Sequence, residues 1–104
     1  MTVEEYQKYC KNMAIRLADC RGKKSKVIKV LEDFVYVSLT FVNDSERSLR
    51  ASREDRDLIK SKIIETLDDL IRLYESDGRK LQVYCLNRVK NDLKYGSNII
   101  RVVK

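Results

Sequence analysis

The segment that decides the fold is KVIKVLEDFVYVSLTFV, residues 26–42. Its β-branched and aromatic content, with apolar and polar residues alternating over residues 35–41, is typical of a strand. The less apolar positions of the segment and its continuation have helical spacing, and together they form one stripe about 120° wide. These positions are Lys29, Glu32, Asp33, Tyr36, Thr40, Asn43 and Asp44.

Only Ser38 falls outside this polar stripe. A strand over the whole segment would also be far longer than the usual length of about five or six residues. The pattern therefore predicts a helix that is buried except along one narrow stripe. An α+β fold with strands in 26–42 and 81–103 is the alternative.

The segments on either side predict three further helices. The first of these covers residues 3–21 and follows a Thr2/Glu5 capping box, and another follows a second box at Ser52/Asp55 and is ended by Asp77-Gly78. The apolar stripe of the first helix is Val3, Tyr6, Cys10, Met13, Leu17 and Cys20, and that of the third is Ile59, Ile63, Leu67, Leu70, Ile71 and Tyr74. In the fourth helix Leu81, Cys85, Val89 and Leu93 repeat at intervals of four, up to Gly96.

Short connections between four helices predict an antiparallel up-and-down four-helix bundle, an all-α fold that forms one domain over residues 1–104. An apolar tail follows from Ser97 to Lys104 and carries Ile99, Ile100, Val102 and Val103. The tail either covers one end of the bundle or packs on another chain, and the apolar stripe of the first helix is a second route to a homo-oligomer.

Composition places the chain among folded, basic proteins. It has 104 residues, of which 43% are hydrophobic and 37% charged, with a formal net charge of +6. No apolar run is long enough to span a membrane, and the start of the chain does not resemble a signal peptide. Cys10 and Cys20 would lie about 15 Å apart on a helix, so we expect buried free thiols and a cytoplasmic protein.

The residues that most enzymes use are scarce. There is no histidine, and neither phosphate-loop motifs nor a Cys-x-x-Cys pair occurs, so we predict no catalytic residue, no cofactor and no metal site. The densest carboxylate group is Glu65, Asp68 and Asp69. We expect Asp68 and Asp69, four and three residues before Arg72, to form ion pairs with it. Cys85 is expected to pack in the core, and the chain is not expected to be an enzyme.

The positive charges are concentrated at the first connection between helices. Arg21, Lys23, Lys24, Lys26 and Lys29 occupy five of nine positions with no acid among them. In an up-and-down bundle this connection lies at the same end as Arg79 and Lys80, so we predict that the two converge. If Ser25 caps the second helix, this end could bind a polyanion. The alternatives are that it binds an acidic protein or is a solvated loop without a partner.

A second basic cluster repeats every three residues across the next connection. It comprises Arg47, Arg50, Arg53 and Arg56. The cluster could follow a phosphate backbone, but the interleaved Glu46, Glu54, Asp55 and Asp57 favour ion pairs within the chain.

Two functional hypotheses follow. The first is a small regulatory or adaptor protein that binds a macromolecular partner, most simply another protein. The second is a nucleic-acid-binding accessory protein that contacts phosphates without reading sequence. Tyr36 and Tyr95 are the aromatic residues that fall off the apolar stripes and could stack on bases.

Overall fold

The computed structural model describes the backbone of residues 1–48 and 51–95 and the side chains of residues 1–45 and 51–95. These residues form four helices and no strand: α1 (Val3–Asp19), α2 (Lys24–Ser48), α3 (Arg53–Ser76) and α4 (Lys80–Tyr95). The prediction of an all-α fold is confirmed. Strands in 26–42 and in 81–95 are excluded, whereas the tail Ser97–Lys104 lies outside the described residues.

The chain divides into two compact units, Met1–Ile63 and Ile64–Lys104, with the boundary inside α3. In the first unit α1 and α2 form an antiparallel hairpin, because early residues of α1 contact late residues of α2. Tyr6 meets Ser38 and Phe41, whereas Arg16 near the end of α1 meets Asp33. Such hairpins are the building units of up-and-down bundles.

The burial of α2 explains why its sequence resembles a strand. The predicted polar stripe faces solvent at Lys29, Glu32, Tyr36, Thr40, Asn43 and Asp44, with Asp33 half-buried. Ser38, the residue that did not fit, is fully buried, and its hydroxyl lies 2.6 Å from the hydroxyl of Tyr6. A partner from α1 therefore satisfies the hydroxyl of Ser38 in the core.

The buried face of α1 differs from the predicted stripe at one position. Tyr9, Met13 and Cys20 pack with Val30 and neighbouring residues of α2, but Leu17 is 40% exposed.

In the second unit, the predicted inner face of α3 is confirmed. Leu67, Leu70, Ile71 and Tyr74 are buried, and Thr66 is buried beside them.

The predicted face of α4 is wrong at two positions, because Leu81 is 72% exposed and Cys85 is also exposed. A repeat of four residues advances about 40° around the helix at each step, since one turn takes 3.6 residues. The stripe therefore winds away from α3, and α4 instead half-buries positions that include Val83, Leu86 and Lys90. Across this second hairpin Lys90 pairs with Asp68 at 2.6 Å.

No described helix is both long enough and apolar enough to cross a membrane.

Candidate basic binding surface

The connection between α1 and α2 turns through two residues with left-handed backbone. After Cys20, which caps α1, Arg21 has φ 50° and Gly22 has φ 76°. The amide of Arg21 donates to the carbonyl of Ala18 at 3.3 Å, and that of Lys23 donates to Cys20 at 3.0 Å. Gly22 adopts this conformation readily, but a side chain at Arg21 makes it unfavourable by about 1–2 kcal/mol.

Helix α2 begins at a lysine. The carbonyl of Lys23 accepts the first helical hydrogen bond, from the amide of Val27 at 3.0 Å, so Lys23 is the N-cap residue. The prediction that Ser25 caps α2 is wrong, because Ser25 already lies in the first turn of the helix. A lysine side chain has no acceptor for the amides of that turn.

The first turn of α2 is also basic where helices favour acids. It contains Lys24 and Lys26 and no acidic residue. Since the N-terminus of a helix carries partial positive charge, each lysine there is unfavourable by about 0.3–1 kcal/mol. We call Arg21, Lys23, Lys24, Lys26 and Lys29 the basic connection.

Most charges of the basic connection are exposed and uncompensated. Lys24 is half-buried and the other four side chains face solvent. Arg21, Lys23, Lys26 and Lys29 form no ion pair with any described residue. The connection is therefore a positively charged surface that is open to a partner.

Helices α1 and α3 begin in the opposite way. Thr2 and Glu5 form a complete capping box, with both hydrogen bonds at 3.1 Å. At α3 the hydroxyl of Ser52 accepts from the amide of Asp55 at 3.1 Å, and Glu54 and Asp55 supply acids to the first turn. Residues with a capping hydroxyl therefore precede α1 and α3, whereas a lysine precedes α2.

A groove opens beside the basic connection, between the end of α1 and the start of α2. It holds about 300 Å³. Its lining consists of Arg16, Asp19, Cys20, Lys26, Lys29 and Val30. We call it the hairpin groove; its lining side chains carry three positive charges and one negative.

Arg16 is held at the groove by α1 and α2 together. One terminal nitrogen donates to Asp33 at 3.3 Å, and the other lies 3.8 Å from the sulfur of Met13. Arg16 and Asp19 were not predicted to be site residues. The signal for Arg16 is its position three residues after Met13 and four before Cys20, which places a charge on the buried side of α1.

Arg79 and Lys80 form a similar helix start in the second unit. The carbonyl of Arg79 accepts from the amide of Val83 at 3.2 Å, and the first turn of α4 contains no acid. Both side chains are exposed. Their convergence with the basic connection stays a prediction.

The second basic cluster is only partly described. Arg50 and the side chain of Arg47 lie outside the described residues. Arg56 donates to the carbonyl of Ala51 at 2.8 Å, a contact that holds the start of α3, whereas Arg53 is exposed.

The other candidates from the sequence are the carboxylates of α3 and the cysteines. Asp69 pairs with Arg72 at 2.5 Å, as predicted, whereas Asp68 pairs with Lys90 on α4. Cys20 donates its thiol to the carbonyl of Arg16 at 3.2 Å. The exposed Cys85 corrects the prediction that this thiol packs in the core.

Comparison of the chain with known proteins finds no matching family model, no matching curated protein and no matching solved structure.

Proposed function

We propose that the protein is a small adaptor, without catalytic activity of its own, that binds an acidic segment of another protein through the basic connection. The observation that carries this proposal is the run of unfavourable local choices over residues 21–26. A left-handed arginine, an N-cap lysine and a basic first turn follow one another there.

The free energies involved show that these choices are significant for the stability of a small domain. The left-handed residue is unfavourable by about 1–2 kcal/mol, a missing cap by about 1 kcal/mol and each lysine by about 0.3–1 kcal/mol. A domain is typically stable by only about 5–15 kcal/mol. Local choices that oppose stability at one exposed place are typical of functional sites.

Two features favour an acidic protein over a nucleic acid. Leu17 is 40% exposed near the end of α1 and offers apolar contact that a phosphate backbone would not use. Tyr36, the exposed aromatic residue of α2, lies about 10 Å along the helix from Lys29. It therefore provides no stacking platform beside the basic connection.

The test compares two charge-reversed variants. Lys23→Glu/Lys24→Glu changes the basic connection, and Lys8→Glu/Lys11→Glu makes the same charge change at exposed positions of α1. Fluorescence anisotropy is measured with a labelled glutamate-rich peptide, single-stranded DNA and duplex DNA, at about 50 and about 200 mM salt.

We expect the peptide to bind the wild type and the α1 variant, and to bind the connection variant about tenfold or more weakly. Equal weakening in both variants would show that only net charge matters. Tighter binding of either DNA than of the peptide would replace the adaptor with a nucleic-acid-binding accessory protein.

A further inference from the structure

The hairpin groove has a composition that suits one chemical group. Arg16 comes from the last turn of α1, whereas Lys26 and Lys29 come from the first two turns of α2. Cationic donors therefore face the groove from two helices. Asp19 leaves the lining with a net charge of +2, from three positive charges and one negative.

We propose that this groove binds a phosphate monoester carried on a serine or threonine side chain of the acidic partner. The inference rests on the proposed function, because it assigns a phosphorylated residue to the segment that docks on the basic connection. A phosphomonoester carries a charge of about −1.5 to −2 at neutral pH and three strong acceptor oxygens. A carboxylate carries a single charge and two oxygens in one plane, so it makes less use of donors from two helices.

The position of Arg16 favours this ligand. Its contacts with Asp33 and Met13 hold the guanidinium in place. A guanidinium has five N–H donors, of which these contacts use two, so others remain for phosphate oxygens. Because the arginine is already held, less side-chain entropy is lost when the ligand binds.

The size of the groove is compatible with a phosphorylated side chain. Its volume of about 300 Å³ lies at the lower limit of the about 300–1,000 Å³ that is typical of small-molecule sites. Because the groove is open to solvent, the rest of the ligand can extend beyond it. Its lining includes Lys26 and Lys29 of the basic connection, so a peptide bound to that surface could place a side chain in it.

The experiment uses two labelled glutamate-rich peptides that differ only in one central residue, serine or phosphoserine. We expect the phosphoserine peptide to bind the full-length protein about tenfold more tightly, since charge-assisted hydrogen bonds to phosphate are strong. In Lys26→Ala/Lys29→Ala this preference should disappear, whereas Lys8→Ala/Lys11→Ala should retain it.

Asp19→Asn guards against loss of binding through misfolding. Removing the one carboxylate of the lining should tighten binding of the phosphoserine peptide about threefold and leave the serine peptide nearly unchanged. Such a gain cannot come from an unfolded protein.

The outcomes separate this inference from the proposed function. If both peptides bind equally, the adaptor proposal stands and the phosphate site is wrong. If neither binds, both fail. Inorganic phosphate that binds as tightly as the phosphoserine peptide would identify a site for a free anion, and tighter binding of duplex DNA would identify a nucleic-acid surface. Either result overturns the phosphorylated-partner assignment.

Discussion

The two ends of the α1–α2 hairpin follow opposite rules. At the open end, Thr2 and Glu5 cap α1, and Tyr6 stacks on Phe41 with ring centres 4.6 Å apart. At the connection end, a left-handed Arg21 leads into a start of α2 that has lysine as its N-cap residue and no acid in its first turn. The same two helices thus combine an end built for stability with an end whose local structure opposes it.

This difference shows that selection for a stable fold explains the residues at the start of α1 but not those at the start of α2. Every described polar choice at the start of α1 lowers the free energy of the folded state. The choices at the start of α2 raise it, yet they keep positive charges exposed. Substitutions at either end should therefore change stability in opposite directions.

The buried hydroxyl pair should dominate the open end. Tyr6→Phe keeps the ring against Phe41 but leaves the hydroxyl of Ser38 buried without its partner. We expect the free energy of unfolding to fall by about 1–3 kcal/mol, measured by urea denaturation. Tyr6→Phe/Ser38→Ala removes both hydroxyls and should recover most of this loss. A double variant no more stable than the single one would show that the unpartnered hydroxyl of Ser38 carries no penalty in the core.

Ser38 also shows what a local pattern can and cannot predict. The polar stripe of α2 was visible in the sequence because its residues recur at helical spacing. The burial of Ser38 depends on Tyr6, which lies 32 residues away, and no local spacing reports such a pair. The same limit applies to the hairpin groove, where Arg16 and Lys26 meet only through the packing of two helices.

In α4 the pattern itself was misleading. Leu81, Cys85, Val89 and Leu93 looked like one face because they recur regularly, but strict intervals of four wind around a helix. Leu86 carried the missing information, since it lies on the half-buried side that Val89 and Leu93 share. The basic connection was predictable because exposure of lysine needs no partner, whereas the hairpin groove required the structure.

Alkaline pH should weaken the open end next. Burial raises the pKa of Tyr6 well above its ordinary value of about 10, an effect that the hydrogen bond with Ser38 partly opposes. Burial and the nearby Asp33 raise the pKa of Tyr9 in the same direction. At pH values above about 10 and below these folded-state pKa values, the unfolded chain loses tyrosine protons that the folded chain keeps. The free energy of unfolding therefore falls as the pH rises through this range.

Each such tyrosine contributes a fall of at most about 1.4 kcal/mol per pH unit. Urea denaturation between about pH 9 and pH 11 should therefore show a shallower fall for Tyr6→Phe than for the wild type. Lysine deprotonation affects both proteins, which makes their difference the informative quantity. Parallel curves would mean that Tyr6 ionises as easily in the folded protein as in the unfolded chain.

At the connection end, Arg21→Gly should increase stability. Glycine removes the cost of a left-handed side chain, about 1–2 kcal/mol, and adds about 0.5–1 kcal/mol of unfolded-state entropy. We expect a net gain of about 0.5–1 kcal/mol in urea denaturation. The same variant should bind the glutamate-rich peptide more weakly, because it lacks one exposed charge. Arg53→Gly, at the exposed first residue of α3, is the control and should give no gain.

The smallest effect is the most direct comparison of the two ends. Lys26→Glu places an acid in the first turn of α2, which gives it the charge that α1 has at Glu4 and Glu5. It should raise the free energy of unfolding by about 0.3–1 kcal/mol, because the acid interacts favourably with the helix dipole. Lys11→Glu makes the same charge change in the middle of α1, where the dipole has little effect, and should leave stability nearly unchanged. If the free energy of unfolding rises and peptide binding weakens, Lys26 contributes to binding a partner at the expense of stability. If stability falls instead, lysine at this position already favours the folded state, and the contrast between the two ends loses its main support.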